Sequence, residues 1–345
     1  MKLSVVILNW NGKEMLRKFL PDVIANSVSD DVEVVVADNG STDGSVEMLE
    51  REFPQTPLVI LDRNYGFAEG YNMALKDNPA DYFLLLNSDV EIRDKNWLTP
   101  LIEYMDAHPD VAACQPKIMA LKQENYFEYA GAAGGFIDRY GFPFCRGRVL
   151  ATVEQDHGQY DDVRDVFWAT GAALLVRAKD FRYVGGFDRR FFAHMEEIDL
   201  CWRLRDAGLR VVCVPQSKVW HLGGASLNQG NPRKTFLNFR NNLMMLYKNL
   251  PDQDLDKVMK ARRWFDWLAA LKFLLAFDRQ NYKAVRKARK EFKTMIPELK
   301  EDRENNARRR IVTHIPEIAP FSLISQYYFR RKKLFSQLIF NNLTE

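Results

Sequence analysis

The chain has 345 residues, 47% apolar and 28% charged, enough hydrophobic content for a large buried core and too much for a disordered polymer. The net charge of +3 is unevenly spread: residues 251–345 hold 21 Lys and Arg against 12 Asp and Glu, and residues 1–250 hold 28 against 34. A mildly acidic body thus carries a basic tail, and nothing beside the tail's charges resembles a base-reading module, so no nucleic acid is expected as a partner.

From the N-terminus, continuous apolar runs at residues 3–8, 32–37, 58–61 and 82–86 read as buried strands. Between them, residues 13–28, 44–53 and 66–76 read as helices, with Met15, Leu16, Phe19 and Leu20, then Val46, Leu49 and Phe53, at helical spacing. Repeated strand-helix-strand units predict a doubly wound, mostly parallel α/β sheet with right-handed crossovers. A helix over 97–108 and a strand over 111–119 follow. Residues 122–165, with scattered Gly, Tyr and Phe and little periodicity, are expected to form loops or short hairpins. Residues 166–176 read as a strand, and 196–207 as a helix stopped by Gly208. The first strand starts with no signal peptide ahead of it, and Cys114, Cys145, Cys201 and Cys213 form no Cys-x-x-Cys pair. Both features suit a cytoplasmic protein with reduced thiols.

From Phe236 onward the pattern changes to long helices. Residues 262–277 include Trp264, Phe265, Trp267, Leu268, Leu271, Phe273 and Leu274, and a dense basic run follows at 283–293. With Arg262, Arg263, Asp266 and Lys272 inside it, the apolar stretch is too short and too charged to span a bilayer, which takes about 20 predominantly apolar residues. Two roles stay open: lying in a membrane interface, with aromatics at the acyl boundary and cations at anionic headgroups, or docking on the body. A second basic and aromatic segment at 327–335 favours membrane contact.

Polar clusters stand where the predicted strands end. Asn9-Trp10-Asn11-Gly12 closes the first strand, Asp38-Asn39-Gly40-Ser41-Thr42-Asp43 the second, and Asn87-Ser88-Asp89 the fourth. The carboxyl ends of neighbouring parallel strands converge, so these clusters can share one pocket. Asp38 is suited to accept from a pyrimidine imide N–H, and Asp89 to bind a cation. Asn64-Tyr65-Gly66-Phe67, running on to Asn72, follows the third strand, where its glycines allow close approach of a diphosphate to a helix N-terminus. Each cluster alone is an ordinary turn or cap; Thr42 or Asp43 is expected to cap the next helix.

Together, in this order, the clusters resemble the N-terminal half of the family 2 glycosyltransferases, which have the GT-A fold, and within them the rhamnosyltransferase-like branch. Thr170-Gly171-Ala172-Ala173, Gly185-Gly186-Phe187-Asp188 and Glu196-Glu197-Ile198-Asp199-Leu200-Cys201-Trp202 continue the match. The resemblance covers residues 1–245 and leaves 246–345 as a helical, basic-aromatic extension.

It implies an inverting transfer of a hexosyl or deoxyhexosyl unit from a dTDP-, UDP- or GDP-linked sugar to a glycan or lipid-linked saccharide. Such a chain would work in the cytoplasm, with contact to the inner face of the membrane as one option. Asn9, Asn11, Asp38, Asn39, Asn64, Gly66, Asn72, Asn87 and Ser88 would line the donor site. Asp89, the last acid of a DxD-type motif whose first position here is Asn87, would hold Mn²⁺ or Mg²⁺ with His221. Glu197 would be the catalytic base with Glu196 beside it; Glu at this position, where Asp is commoner, leaves open which acid reaches the hydroxyl. Thr170, Gly171, Asp199 and Trp202 would face the acceptor, although Asp199 could equally orient an arginine and Trp202 sit in the core. Two other classes compete: a sugar-1-phosphate nucleotidyltransferase, which should carry a Gly-rich loop with Lys near the first strand, and a non-catalytic nucleotide-sugar-binding scaffold, which would have lost the acids. The chain lacks the first signature and keeps both acids.

Overall fold

The computed structural model describes residues 1–223 and 230–339. Its first half alternates strand and helix: Leu3–Asn9 (β1), Lys13–Ser27 (α1), Val32–Asn39 (β2), Ser45–Glu52 (α2), Leu58–Leu61 (β3), Gly66–Leu75 (α3) and Tyr82–Leu86 (β4). Short Val90–Glu91 (β5), Thr99–Ala107 (α4) and Val111–Ala120 (β6) follow. Next come four short strands, Gly135–Asp138 (β7), Pro143–Cys145 (β8), Arg148–Val149 (β9) and Thr152–Val153 (β10), then Arg164–Asp165 (β11) and Ala173–Arg177 (β12). Ala178–Tyr183 (α5), Glu196–Asp206 (α6) and Arg210–His221 (β13) complete the body, and Pro232–Asn249 (α7), Asp252–Leu275 (α8), Arg279–Arg309 (α9) and Ile318–Ala319 (β14) form the tail.

The main sheet runs β11-β13-β6-β12-β4-β1-β2-β3, with β5 pairing on β13. β3, β2, β1 and β4 are parallel, as their crossover helices require. β12 inserts antiparallel between β4 and β6, so the expected mostly parallel sheet is mixed at its centre. The predicted strand over 166–176 is shorter than expected, since only residues 173–177 pair with β4. Side chains alternate across the sheet: Leu3, Val5 and Ile7 of β1 enter the core under α1, α2 and α4, and Val6 enters the core on the opposite face. In α1, Leu16, Leu20 and Val23 recur at helical spacing and supply the buried stripe.

The stretch with little periodicity, 122–165, builds a second sheet, β10-β9-β8-β7-β14. Its last strand comes from the tail, and Ile318 pairs with Ile137. The buried Asp138 carboxylate ties the two together, accepting from Tyr140 N and Phe142 N at 2.9 Å and from Leu323 N at 2.7 Å. Burial pushes this acid up to about 6.

The tail docks. α8 buries Val258, Arg262, Asp266 and Ala270, four positions one turn apart, with Arg262 paired to Asp266 at 3.3 Å. Its opposite face leaves Trp264, Trp267, Leu268 and Leu275 exposed, so docking on one face leaves the other free. No helix among the described residues is long and apolar enough to cross a membrane. The division expected at 245/246 falls inside the continuous helix α7, and the last six residues of the expected extension, 340–345, lie outside the described residues.

Phe335, buried against Phe136 at 5.2 Å and Tyr160 at 5.7 Å, is the far anchor of the tail. Phe335→Ala should destabilise by about 3 kcal/mol and open 310–339 to protease, read by urea titration and limited proteolysis.

Candidate active site

β1 and β2 end in register, with Asn9 opposite Asp38, which puts a polar pair at the pocket edge. Asn9 Nδ2 donates to Asp38 Oδ2 at 2.9 Å, and Ser41 N donates to Asp38 Oδ1 at 2.8 Å. Both carboxylate oxygens keep a second lone pair. Asn11 adopts φ 50° and accepts from Thr42 N at 2.7 Å, so the two strand ends brace each other. Asp43, one of the two expected caps, accepts from Ser45 N at 3.0 Å at the start of α2. Gly40, at φ 70°, passes so close to the Arg63 backbone that a Cβ would lie 2.4 Å from it, which only glycine allows.

Four expected donor-site residues are committed elsewhere. Asn39 is buried, donating to Gly66 O at 2.9 Å and accepting from Tyr65 N at 2.9 Å. Asn72 spends both ends of its amide on the Phe187 backbone, at 2.8 and 2.9 Å. Asn64 Oδ1 accepts from Gly66 N at 2.8 Å. The N-terminus of α3 is also taken, since Phe67 N and Ala68 N both donate to Phe192 O. In this structure Asn39, Asn72 and Asn64 Oδ1 brace the wall, and the first amides of α3 bind a protein carbonyl.

At the end of β4, Asn87 N donates to Ala172 O at 3.0 Å, and Ser88 Oγ would lie 3.6 Å from a Cβ on Gly12, at the end of β1. Asp89 Oδ1 stands 3.1 Å from His221 Nε2, and Asn87 Nδ2 stands 3.3 Å from the same nitrogen. Two ligands of a six-coordinate cation, each at about 2.1 Å, are about 3 Å apart, so this pair fits one edge of a Mn²⁺ or Mg²⁺ shell. Glu128 Oε1 lies 3.7 Å from His221 Nδ1, too far for a hydrogen bond but near enough for its charge to act on the imidazole. Burial opposes charge on His221, yet the hydrogen bond to Asp89 and the nearby Glu128 carboxylate raise it to about 10. The negative field that favours a proton there favours a divalent cation equally. Among the described residues no three His, Cys, Asp or Glu side chains form a cage, so a cation here needs donor-diphosphate oxygens as well.

The acids sit after a turn of unusual backbone. Phe192, His194 and Met195 have φ of 64°, 72° and 73°, each costing on the order of 1–3 kcal/mol. Asn241 of α7, fully buried, holds the turn: its Nδ2 lies 2.8, 2.9 and 2.8 Å from the carbonyls of Phe191, Ala193 and His194. Arg240 Nη2 adds a bond to Arg190 O at 2.9 Å.

Beyond the turn, Glu196 and Glu197 each keep a buried Oε2 with no hydrogen-bond partner. Burial pushes Glu197 up to about 7; burial and then the neighbouring Glu197 carboxylate raise Glu196 well above its usual range. His194 is pushed down to about 4 by burial and by Lys234, so its imidazole is neutral.

Two acceptor-side expectations change. Asp199 is buried and bound to Arg203 at 3.0 Å, Lys248 at 3.1 Å and Asn249 at 2.8 Å. It locks α6 to α7, as the arginine-orienting alternative held. Trp202 is buried against Phe167 at 5.3 Å and belongs to the core. Thr170 is buried, its hydroxyl accepting from Ala172 N at 3.2 Å, and a Cβ on Gly171 would lie 2.9 Å from Phe67. Both therefore shape the junction between the Asn87 turn and α3. Glu128 and Asn241 were missed. Glu128 lies in an aperiodic stretch without a motif, whereas Asn241, amid apolar helix positions, carried a faint signal as a polar residue on a buried face.

A mixed sheet with an acid-imidazole corner at one strand end and a buried acid pair at a helix start belongs to a fold of the GT-A class. Residues 4–156 match the model of glycosyl transferase family 2. The chain is 29% identical over 227 residues to the O-antigen biosynthesis protein RfbC of Myxococcus xanthus, covering 65% of this chain but 18% of that one. It is 28% identical over 237 residues to the N-acetylglucosaminyl-diphospho-decaprenol L-rhamnosyltransferase of Mycobacterium tuberculosis, covering 64% of this chain and 75% of that one. In structure it is similar to GalNAc-T7 crystallised with UDP, GalNAc and Mn²⁺, with a TM-score of 0.62 at 16% identity, covering 89% of this chain and 54% of the other.

Asn241→Ala should relax the turn that presents the acids. The expected outcome is a fall in kcat of about tenfold or more, since small displacements of catalytic groups cost that much, with the KM for donor unchanged; steady-state kinetics separate the two.

Proposed function

We propose that this chain is an inverting, metal-dependent glycosyltransferase moving a hexosyl or deoxyhexosyl unit from a dTDP-, UDP- or GDP-linked sugar to a hydroxyl of a glycan or lipid-linked saccharide. The observation that carries it is the buried Glu197 carboxyl, its Oε2 without a hydrogen-bond partner and its pKa pushed up to about 7, behind a strained turn whose first carbonyl caps the helix facing the donor strands.

On this reading Asn9, Asn11 and Asp38 receive the nucleotide at the ends of β1 and β2, with a second lone pair of the Asp38 carboxylate free for a base N–H. Asp89 and His221 would hold the cation, with Asn87 and Ser88 beside them; when bound, it offsets the charge of the departing nucleoside diphosphate. Glu197 takes the proton of the acceptor hydroxyl as that oxygen attacks the anomeric carbon from the face opposite the leaving group. The C–O bond to the diphosphate breaks, the anomeric configuration inverts, and the proton stays on Glu197. Glu196, raised by burial and by the neighbouring Glu197 carboxylate, favours its protonated form, so the two acids do not both carry charge. The relatives' names, O-antigen biosynthesis protein and N-acetylglucosaminyl-diphospho-decaprenol L-rhamnosyltransferase, support an envelope-saccharide acceptor carried on lipid. The exposed aromatic face of α8 would then rest on the inner surface of the cytoplasmic membrane.

Thermal unfolding with dTDP, UDP and GDP, each with and without Mn²⁺, tests the donor site. At least one nucleotide should stabilise the protein, more so with metal; His221→Ala should remove the metal-dependent part. No response to any nucleotide would sink the reading.

The base is tested by pH. Since Glu197 must be ionised to accept a proton, kcat/KM should rise with pH through about 7. Glu197→Gln should abolish transfer while keeping the nucleotide response. The stability effect has the opposite sense: between the ordinary glutamate value of 4.5 and about 7 the folded protein retains a proton that the unfolded chain has lost, so this acid costs stability as pH rises. Glu197→Gln should therefore unfold at a higher temperature than the parent at pH 8 and at the same temperature at pH 4.

A further inference from the structure

Beside the acid turn lies a cavity of about 520 Å³ lined by Arg189, Phe192, Arg233, Phe236, Arg240 and Lys287. A second, of about 350 Å³, shares Arg233, Phe236 and Lys287 and adds Lys283 and Gln280 at the start of α9. Arg240 is neutralised by Glu291 at 2.8 Å. Arg189, Arg233, Lys283 and Lys287 are exposed and make no ion pair among the described residues. Arg233 instead lies over the Phe192 ring at 4.9 Å and Lys287 over Phe236 at 5.1 Å. Arg189, Arg233 and Lys287 around the first cavity, with Lys283 in the adjoining second one, repel one another, and an anion that enters relieves the repulsion; guanidinium and ammonium groups together suit phosphate oxygens.

Position makes this more than a basic patch. Phe192 is at once the cavity wall and the first strained residue of the turn leading to Glu196 and Glu197. On the other side, α8 ends in Leu274, Leu275 and Phe277, exposed by 44%, 71% and 89%, directly before Gln280 of the second cavity. A cationic concavity rimmed by a bare apolar tip is complementary to an amphiphile with a phosphorylated head.

We infer that this cavity binds the diphosphate of a lipid-linked saccharide acceptor, its hydrocarbon chain leaving along the tip of α8 and its sugar directed past Phe192 toward the acid pair. The inference rests on the transferase reading and adds where the acceptor's charge is held.

Farnesyl diphosphate, inorganic pyrophosphate and farnesol serve as probes, titrated by calorimetry with a saturating stabilising nucleoside diphosphate filling the donor site. Farnesyl diphosphate should bind at least tenfold more tightly than pyrophosphate, and farnesol should not saturate. Arg233→Glu combined with Lys287→Glu should weaken farnesyl diphosphate at least tenfold, and the milder Lys283→Gln with Lys287→Gln about threefold. Both pairs are exposed, and an unaltered nucleotide-induced thermal shift checks that each variant is folded. Unchanged farnesyl diphosphate affinity in both variants would overturn the inference, as would equal binding of pyrophosphate, which would mark a site for free anions, or of farnesol, which would mark an apolar one. Loss of the nucleotide response in the parent protein would instead overturn the transferase reading, so the two failures are distinct.

Discussion

The chemistry depends on one constraint, the left-handed backbone of residues 192–195. A chain left to itself does not place Phe, His and Met at positive φ, so their geometry must be imposed from outside. It is imposed from two directions, by the first amides of α3 on the Phe192 carbonyl and by the Asn241 amide on the carbonyls around it. Asn241 in turn sits on a helix fixed by the Asp199 network with Lys248 and Asn249. The acids are therefore aimed by a helix that lies outside the part of the chain matching the family model.

Electrostatics then divides the site into two unlike halves. At the end of β4, carboxylates surround an imidazole and invite positive charge. At the start of α6, two carboxyls share a dry environment and resist ionisation. One half is suited to neutralising a leaving diphosphate and the other to accepting a proton, and the separation follows from burial and partner choice rather than from residue type, since both halves use carboxylates.

Much of this was legible in the residue order. The apolar runs of β1, β2 and β4 are continuous because both faces of those strands are covered, and such runs announce themselves. Asp89 and Glu197 stand out because the strand before one and the helix after the other are strongly patterned. The turn around Asn64 and Asn72 was ambiguous for a physical reason: an amide that braces backbone and one that binds ligand look the same in sequence. Asp199 likewise looks like any first-turn acid until Lys248, 49 residues on, is seen to bind it. In the second sheet the short antiparallel pairs within 122–165 were expected, but the fifth strand was not, because it is two residues long and belongs to the tail.

That last strand has a consequence for how the molecule is made. β7 emerges early in synthesis, but its partner β14 lies about 180 residues later by the numbering of Ile137 and Ile318. At about 5–20 residues per second, the edge of β7 is unpaired for roughly 10–40 s on a nascent chain. A bare strand edge is a template for the wrong partner, so the second sheet has a window of vulnerability that closes only when the tail arrives. The three long helices that precede β14 fold from local contacts and can form during that wait.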